Sequence, residues 1–323
     1  MPKLSVIIPV YGVENYIERC ARSLFDQRLD DVEFIFIDDC TLDNSMGVLD
    51  TVINEYRQRI SEMNWIVRTV RLPENCGLPS VRKRGVQLAT GDYLIHCDSD
   101  DWVEKEMYES LYRRAVEEDA DMVVCDYYLS GKEGENKRVK ACHSTQKDRF
   151  MEDLLLQKTP WPLWNKMVRR SIYKDVAVYP SYSMGEDLVL CVQLATLSPK
   201  IAYLEAPLYH YMFNPSSITK VKTEESIYNK YLQLKENTDI VLSYLEQVRG
   251  AHNLNNILTF LKYNAISTLG PITGKKEYYD LWRNAYPGTV RTYLTMPNVS
   301  FSSRLLCLMT LLRLYPFRKD RVI

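Results

Sequence analysis

Three aspartates follow the end of an apolar run near residue 100. Asp98-Ser99-Asp100-Asp101 directly follow the apolar residues 93–97. Side chains two residues apart on an extended segment point the same way, so Asp98 and Asp100 can offer oxygens to one hard cation. Oxygen ligands suit magnesium or manganese. The acids equally fit an alternative in which Asp101 caps a following helix, and the tetrapeptide alone leaves both interpretations open.

The elements that must position these acids follow an alternating pattern. Strand patterns over residues 4–10, 32–37, 65–72, 93–97 and 122–128 alternate with helical patterns. This order predicts right-handed crossovers and an α/β fold with a doubly wound, mostly parallel, Rossmann-like sheet. Ligands bind such sheets beyond the carboxyl ends of the strands. We therefore expect four strand-end loops to converge on one crevice: Pro9-Val10-Tyr11, Asp38-Asp39, Asn75-Cys76-Gly77 and Asp98-Ser99-Asp100.

The chain divides by pattern into two regions. Its 323 residues favour two domains or one domain with an appendage. We predict a catalytic domain over residues 1–220, with a nucleotide-sugar-binding half (1–128) and an acceptor-side half (129–220). From about Thr223 the pattern is helical, which predicts a helical C-terminal region over 221–323.

Composition excludes several function classes. With 41 basic and 42 acidic residues, the net charge of −1 lacks the footprint that non-specific nucleic-acid binding needs. The eight cysteines are scattered singly, without the paired spacing of a zinc or redox motif. No apolar run reaches the roughly 18 residues that span a bilayer, and the N-terminus lacks the features of a secretory signal. We expect a cytoplasmic protein with no nucleic-acid partner.

Five short motifs occur in order through the first hundred residues: Ser5-Val6-Ile7-Ile8-Pro9-Val10-Tyr11, Phe36-Ile37-Asp38-Asp39, Glu74-Asn75-Cys76-Gly77-Leu78, Ala89-Thr90-Gly91-Asp92-Tyr93 and Asp98-Ser99-Asp100-Asp101-Trp102. In order and spacing they closely resemble the family 2 glycosyltransferases with the GT-A fold. The resemblance implies an inverting, metal-dependent enzyme of cell-surface polysaccharide (capsule) synthesis. It would move a sugar from a nucleotide-diphosphate sugar, preferably a UDP-sugar, to a hydroxyl of a glycan or lipid-linked acceptor.

The resemblance also implies roles in a donor site. Tyr11 would stack on the base, Asp39 would accept the imide N–H of a uracil-like base, and Asp38 would support the loop. An ordinary turn is the alternative for the two aspartates. Further predicted donor contacts are Pro9, Glu14, Asn75, Gly77, Arg82, Asp98 and Ser99.

By the same resemblance, Asp98 and Asp100 would hold Mn2+ or Mg2+ against the diphosphate and offset the charge of the leaving nucleotide. His210 is a further candidate metal ligand, with a satisfied core histidine as the alternative. Arg82 matches an arginine of the family and would reach the diphosphate or the donor sugar, although its neighbours differ from the family's segment. A solvated basic face over residues 82–84 is the alternative for this arginine.

Gly185-Glu186-Asp187 resembles the acceptor-side acidic motif of the family. The resemblance assigns Asp187 as general base, which takes the proton from the attacking hydroxyl. The alternative is a helix start whose acids favour the helix dipole. Ser217 lies in a segment that resembles a donor-closing loop. Acceptor-side lining is predicted for Trp161, Trp164, Asn165 and Lys166, with buried structural tryptophans as the alternative.

Two other functions are alternatives for the sequence, and its C-terminal helix has two interpretations. A nucleotidyltransferase would be expected to carry a glycine-rich basic loop after the first strand, whereas residues 11–15 have one glycine and no cation. A non-catalytic glycan-binding module would have no reason to keep these acids in register. Leucines between Ser302 and Phe317, flanked by basic residues, fit a helix on the inner membrane surface. Packing on the catalytic domain, or on a second subunit as a homodimer, is the alternative.

Overall fold

The computed structural model describes residues 1–130, 136–212, 214, 223–249, 255–297 and 299–314. The chain forms two compact units. The first comprises Met1–Ser183 and Leu190–Asn214, and the second comprises Met184–Val189 and Pro215–Ile323. The predicted domain limits at residues 128 and 220 stay predictions.

The first half of the sheet is parallel. Strands β1 (Leu4–Val10), β2 (Val32–Asp38), β3 (Ile66–Arg71) and β4 (Tyr93–His96) lie in the order β3-β2-β1-β4. All seven residues of β2 are buried, as expected for a parallel strand covered on both faces. The carboxyl ends of β1, β2 and β4 therefore share one edge.

Helices link these strands: α1 (Ile17–Phe25), α2 (Ser45–Glu55), α3 (Arg57–Glu62), α4 (Leu78–Leu88) and, after β4, α5 (Met107–Glu117). Helix α1 buries residues 17, 20, 21, 24 and 25, the spacing of one apolar helical face. Its Phe25 packs edge-on against Phe34 of β2, with ring centroids 5.5 Å apart. Helix α4 begins after Gly77, whose φ of 77° favours glycine, with Pro79 in the first turn.

The second half of the sheet is mixed. Strands β5 (Trp102–Val103), β6 (Met122–Ser130), β7 (Asn136–Val139), β8 (Lys166–Arg169) and β9 (Ile201–Tyr211) continue it in the order β4-β8-β6-β9-β5, with β7 paired to β6. Strand β8 runs antiparallel to β4 and β6, whereas β6 and β9 are parallel. The α/β class is confirmed, and the parallel character belongs mainly to the first four strands.

The remaining helices include the predicted C-terminal appendage. Helices α6 (Lys147–Leu155) and α7 (Glu186–Leu197) precede α8 (Glu224–Arg249), α9 (Asn255–Ser267), α10 (Lys276–Asn284), α11 (Thr289–Thr295) and α12 (Phe301–Leu311). An apolar core that includes Tyr231 and Trp282 holds the second unit together. Within the described ranges, none of the helices combines the length and the apolar character that a membrane crossing requires.

Candidate active site

The loops after β1, β2 and β4 meet at one edge of the sheet. The backbone N–H of Asp39 donates to the carbonyl of Val10 at 3.0 Å, and that of Cys97 donates to the carbonyl of Ile7 at 3.0 Å. These bonds carry the parallel pairing past the last strand residues. The polar residues that follow the strands therefore start from adjacent points, as the strand-end rule predicts.

Asp98 forms an ion pair with Arg82, which projects from α4. The guanidinium nitrogen lies 2.9 Å from Asp98 Oδ1, and the side chains are 3% and 27% exposed, respectively. Because Arg82 is buried, it does not belong to a solvated basic face, although Lys83 beside it is exposed. A buried arginine that faces a partly open carboxylate is a fixed positive charge at the site.

Asp100 and Asp101 have separate partners. Asp100 Oδ2 accepts a hydrogen bond from Asn214 Nδ2 at 2.9 Å. The Asp101 carboxylate accepts from the Tyr209 hydroxyl and the Met212 backbone N–H, both at 2.7 Å. Residues 102–103 form strand β5 rather than the first turn of a helix, so the helix-cap alternative for Asp101 is wrong. Asp101 instead anchors the end of β9.

The pKa values of Asp100 and Asp101 are raised. Burial raises the pKa of Asp100, and the negative charge of Asp98 raises it further. Burial raises the pKa of Asp101 well above its usual range, with added repulsion from Asp100 and Asp98. This crowding of negative charge is the condition that a divalent cation relieves.

The carboxylate oxygens at this site suit a hard cation that takes its remaining ligands from a substrate. Within the described ranges, no three His, Cys, Asp or Glu side chains are placed to enclose a metal ion. Magnesium-type sites commonly use one or two carboxylates together with substrate phosphates and water. Asp98 and Asp100 supply two carboxylates of this kind, and both side chains are partly open.

His210 lies on β9, opposite Trp102 of β5. Its Nε2 is 2.8 Å from Glu104 Oε1, and its ring stacks on Trp102 with centroids 3.4 Å apart. Burial lowers its pKa, and Glu104 opposes that shift. These contacts match the core-histidine alternative, although Nδ1 has no hydrogen-bond partner within the described residues. The metal role of His210 stays a prediction.

Asp38 and Asp39 stabilise two loops at the carboxyl edge of the sheet. Asp39 accepts hydrogen bonds from the backbone N–H groups of Cys76 (2.7 Å) and Gly77 (3.0 Å). Burial raises its pKa, and these two donors oppose the shift. Asp38 accepts from the Thr41 backbone N–H at 2.7 Å and from the Arg71 guanidinium at 2.8 Å. Asp38 thus stabilises an ordinary turn, which was the alternative interpretation for the two aspartates. Asp39 holds the loop before α4 against the end of β2.

The loop after β1 leaves an aromatic ring in the open. Tyr11 is 50% exposed, as a stacking surface for a planar base must be. Gly12 follows with a φ of 66°, and the Glu14 carboxylate accepts from the Asn44 backbone N–H at 2.9 Å. Pro9 lies within β1 opposite Ile37. Of the other predicted donor residues, Asn75 is exposed and Ser99 is buried.

Sequence reasoning missed three residues that tie the first two loops together. The Thr41 hydroxyl accepts from the Gly12 N–H at 2.9 Å, the Ser45 hydroxyl accepts from the Val13 N–H at 3.1 Å, and the Asp43 carboxylate accepts from the Glu14 N–H at 2.9 Å. The available signal was the run of short polar residues directly after Asp38-Asp39. Such side chains often bond nearby backbone groups in turns.

The predicted acceptor-side residues are mostly structural. Trp164 is 3% exposed and stacks on Tyr209, with centroids 4.1 Å apart. Lys166 is 1% exposed and donates to the carbonyls of Pro160 and Pro162, both at 2.7 Å. The buried Asn165 donates to the Cys125 carbonyl at 2.8 Å. The buried-tryptophan alternative describes Trp164, and only Trp161 of the four predicted residues is partly exposed.

Asp187 belongs to the second unit, in the first turn of α7. Its Oδ1 accepts from the Leu188 backbone N–H at 2.9 Å, and the side chain is half-buried. The preceding Gly185 has a φ of 80°, and a Cβ there would come within 2.7 Å of Leu234. The helix-start alternative therefore fits the local geometry, and the general-base role stays a prediction. Ser217 lies outside the described residues.

A cleft of about 460 Å³ opens between α1 and β5, and none of the predicted site residues is in its lining. Its lining includes Arg19, Trp102 and Glu104. Arg19 also approaches the site, since its guanidinium lies 3.4 Å from the Asp100 carbonyl oxygen. The sequence patterns gave no indication of this cleft.

The fold is that of an α/β enzyme with a site at the sheet edge, and comparison with known proteins identifies the family. Residues 5–182 match the model of the family described as "Glycosyl transferase family 2". The chain belongs to this family and is a glycosyltransferase enzyme with the GT-A fold and additional C-terminal helices. The family resemblance is confirmed, and the nucleotidyltransferase and glycan-binding alternatives are set aside.

Bacterial relatives cover different shares of the chain. "Putative glycosyltransferase EpsH" of Bacillus subtilis is 28% identical over 243 residues, which are 73% of this chain and 67% of EpsH. "Glycosyltransferase GlyA" of Streptococcus pneumoniae is 29% identical over 69% of this chain, which spans only 32% of that protein. "Cholesterol galactosyltransferase" of Borreliella burgdorferi is 23% identical over 94% of both chains.

Solved structures support the fold. S. aureus TarS 1–349 in complex with UDP-GlcNAc aligns with a TM-score of 0.58 and 15% identity, over 96% of this chain and 92% of that one. A Pyrobaculum calidifontis mannosyltransferase in complex with GDP-Man and Mn2+ aligns with a TM-score of 0.52 and 11% identity, over 97% and 86% of the two chains. At such identities the likeness concerns the fold alone.

Proposed function

We propose that this glycosyltransferase moves a sugar from a UDP-sugar to a hydroxyl of a glycan or lipid-linked acceptor in cell-surface polysaccharide synthesis, with inversion at the anomeric carbon. The observation that carries the proposal is the buried Arg82 paired with Asp98 at 2.9 Å, beside Asp100. Fixed positive charge next to partly open carboxylates suits a diphosphate that arrives with a divalent cation.

Two groups, Tyr11 and Asp39, support binding of the donor's nucleotide. Tyr11 offers an open ring for the base. Asp39 keeps one lone pair on each oxygen after bonding Cys76 and Gly77, and a carboxylate can accept about four hydrogen bonds. Asp39 can therefore still receive an imide N–H while it holds the loop. Structures of the same fold that contain UDP-GlcNAc or GDP-Man support a nucleotide-sugar donor.

Asp98 and Asp100 are the proposed ligands of Mn2+ or Mg2+, which would offset the charge that develops on the leaving nucleoside diphosphate. The Mn2+ in the mannosyltransferase of the same fold supports this choice. Arg82 would face the same diphosphate, and Asp98 keeps its guanidinium oriented.

Asp187 is the proposed general base toward the acceptor hydroxyl. A relative named as a poly(ribitol-phosphate) β-glucosyltransferase supports a polymer acceptor, and the relative named as a cholesterol galactosyltransferase supports a lipid one. A cytoplasmic location and a homodimer remain further proposals, which cell fractionation and sedimentation would test.

A donor panel tests the function. The purified full chain is incubated with UDP-glucose, UDP-galactose, UDP-GlcNAc or GDP-mannose, in Mn2+, in Mg2+ or in a chelator, and nucleotide release is measured. We expect one UDP-sugar to be preferred and its turnover to fall more than tenfold on chelation. Equal turnover in the chelator would refute the metal role, and preference for GDP-mannose would refute the uridine assignment.

Asp187→Asn separates the base from the donor site. We expect transfer to fall about 10²- to 10⁴-fold, because the acceptor proton has no carboxylate to receive it, while affinity for the UDP-sugar changes less than twofold. Glu225→Gln is the matched control, since Glu225 is an exposed acid in the first turn of α8 in the same unit. A loss of donor affinity in Asp187→Asn would remove it from the general-base role.

A further inference from the structure

Helix α12 presents its apolar side chains outward. One stripe of large residues recurs at spacings of four, three and four, which places them on one helical face. They are Phe301, Leu305, Leu308 and Leu312, which are 81%, 46%, 41% and 63% exposed. The residues that α12 buries are the smaller Cys307 and Thr310. The usual amphipathic arrangement is reversed, because the apolar face is the exposed one.

Specific contacts hold the helix in this orientation. The Ser300 hydroxyl caps it by accepting from the Ser303 backbone N–H at 3.1 Å. At the other end, the Tyr279 hydroxyl of α10 donates to the Leu311 carbonyl at 2.9 Å. The Arg313 guanidinium lies over the Tyr279 ring, 4.3 Å from its centroid. The stripe therefore faces outward because the opposite face is bonded to the unit.

The sequence of α12 and of the residues that follow it is strongly basic. Residues 300–323 contain one acid, Asp320, and a set of five basic residues, a net charge of +4 in a chain whose total is −1. The basic residues are Arg304, Arg313, Arg318, Lys319 and Arg321. Apolar residues together with clustered cations are the combination that binds the surface of an anionic bilayer.

The size of the stripe argues against a second copy of the chain as its occupant. A helix of this length is about 16 Å long and about 10 Å wide, so one face offers roughly 200 Å². A stable protein interface needs roughly 800 Å² from each partner. Like charges on two copies would also repel each other at such a contact.

We propose that α12 docks on anionic lipid headgroups, with the leucine stripe buried among the upper acyl chains. The protein would then be a peripheral membrane protein held by one helix of its second unit. Docking concerns a surface other than the donor site, so it is measured without activity.

Vesicle flotation of the full chain tests the docking. Vesicles of phosphatidylcholine alone are compared with vesicles that contain 30% phosphatidylglycerol. We expect the protein to float with the anionic vesicles, and Leu305→Ser/Leu308→Ser to lose at least tenfold in bound fraction. The matched control is Leu232→Ser/Val248→Ser, which removes two residues of α8 that are similarly exposed, at 43% and 45%. This control should bind like the unchanged chain.

A second variant tests the electrostatic part. Replacing Arg318, Lys319 and Arg321 with Gln should weaken binding to anionic vesicles by up to about a hundredfold and flatten its salt dependence. Thermal melting of each variant checks that the fold persists. Equal flotation of the leucine variant and its control would overturn the proposal. Failure of the unchanged chain to float with the anionic vesicles would overturn it as well. A dimer in sedimentation that the leucine variant dissociates would then identify a second copy of the chain as the occupant.

Discussion

The polar residues beside the two halves of the sheet differ in exposure and in hydrogen bonding. Beside the parallel strands β1 to β4, Tyr11, Asp98 and Asp100 remain partly open at the carboxyl edge. Beside the antiparallel β8, Asn165 and Lys166 are buried and bonded to backbone carbonyls. Parallel strands all end at one edge, so their terminal polar groups gather there without pairing in the sheet. Antiparallel strands end at both edges of a sheet and do not gather their terminal polar groups. Polar groups next to them can instead bond the backbone of nearby loops, as Asn165 and Lys166 do.

Among the tests of this difference between the two halves, the largest expected effect is at the open acids. Asp98→Asn should reduce turnover about 10²- to 10³-fold, because it removes a proposed metal ligand and the partner of Arg82. Turnover of the preferred UDP-sugar in Mn2+ measures it. Asp50→Asn, at an exposed position of α2, is the control. Unchanged turnover in Asp98→Asn would remove the functional distinction between the two halves.

The buried lysine provides the opposite test. Lys166→Met should lower the free energy of unfolding by about 2 to 3 kcal/mol, since it leaves the carbonyls of Pro160 and Pro162 without their charged donor. Denaturant unfolding measures the loss, and UDP binding at low temperature should stay within twofold. Lys200→Met, an exposed lysine of the same half, should change neither. Unchanged stability with lost binding would make Lys166 a ligand contact.

A smaller effect concerns pH. Because burial raises the pKa of Asp100, the native state holds its proton more tightly than the unfolded chain does. The wild type therefore loses stability as pH rises from the unfolded-state pKa through the folded one. Asp100→Asn lacks this loss and should be more stable at pH 7 in metal-free buffer, by about 0.5 to 2 kcal/mol.

Metal addition should reverse the order of stability. Mn2+ at a hundredfold excess over its dissociation constant stabilises a binding protein by about 2.7 kcal/mol. The wild type should gain this stabilisation, and Asp100→Asn should gain much less. The melting temperature at pH 7, with and without Mn2+, measures both gains. Equal gains would place the cation elsewhere.

Sequence patterns identified the fold and the strand-end loops because their signals are local. Strands β1, β2 and β4 are short apolar runs followed by polar residues, and the topology rule brings those residues together. Trp164 and Lys166 were beyond such reasoning, because an aromatic or basic residue looks the same in the chain whether it lines a pocket or supports a loop. The sequence also left open a helix after Asp101, since a strand of two residues such as β5 has no periodicity to recognise.

The sequence by itself determined the family, the α/β class, the helical C-terminal region and the set of acids that could do chemistry. These depend on residue order and on periods of two or 3.6, which a chain displays without being folded. Only the tertiary structure decided that Arg82 faces Asp98, that Asp39 holds the loop before α4 and that α12 turns its leucines outward. Each of these is a contact or an exposure set by residues distant in the chain, so local pattern cannot encode it.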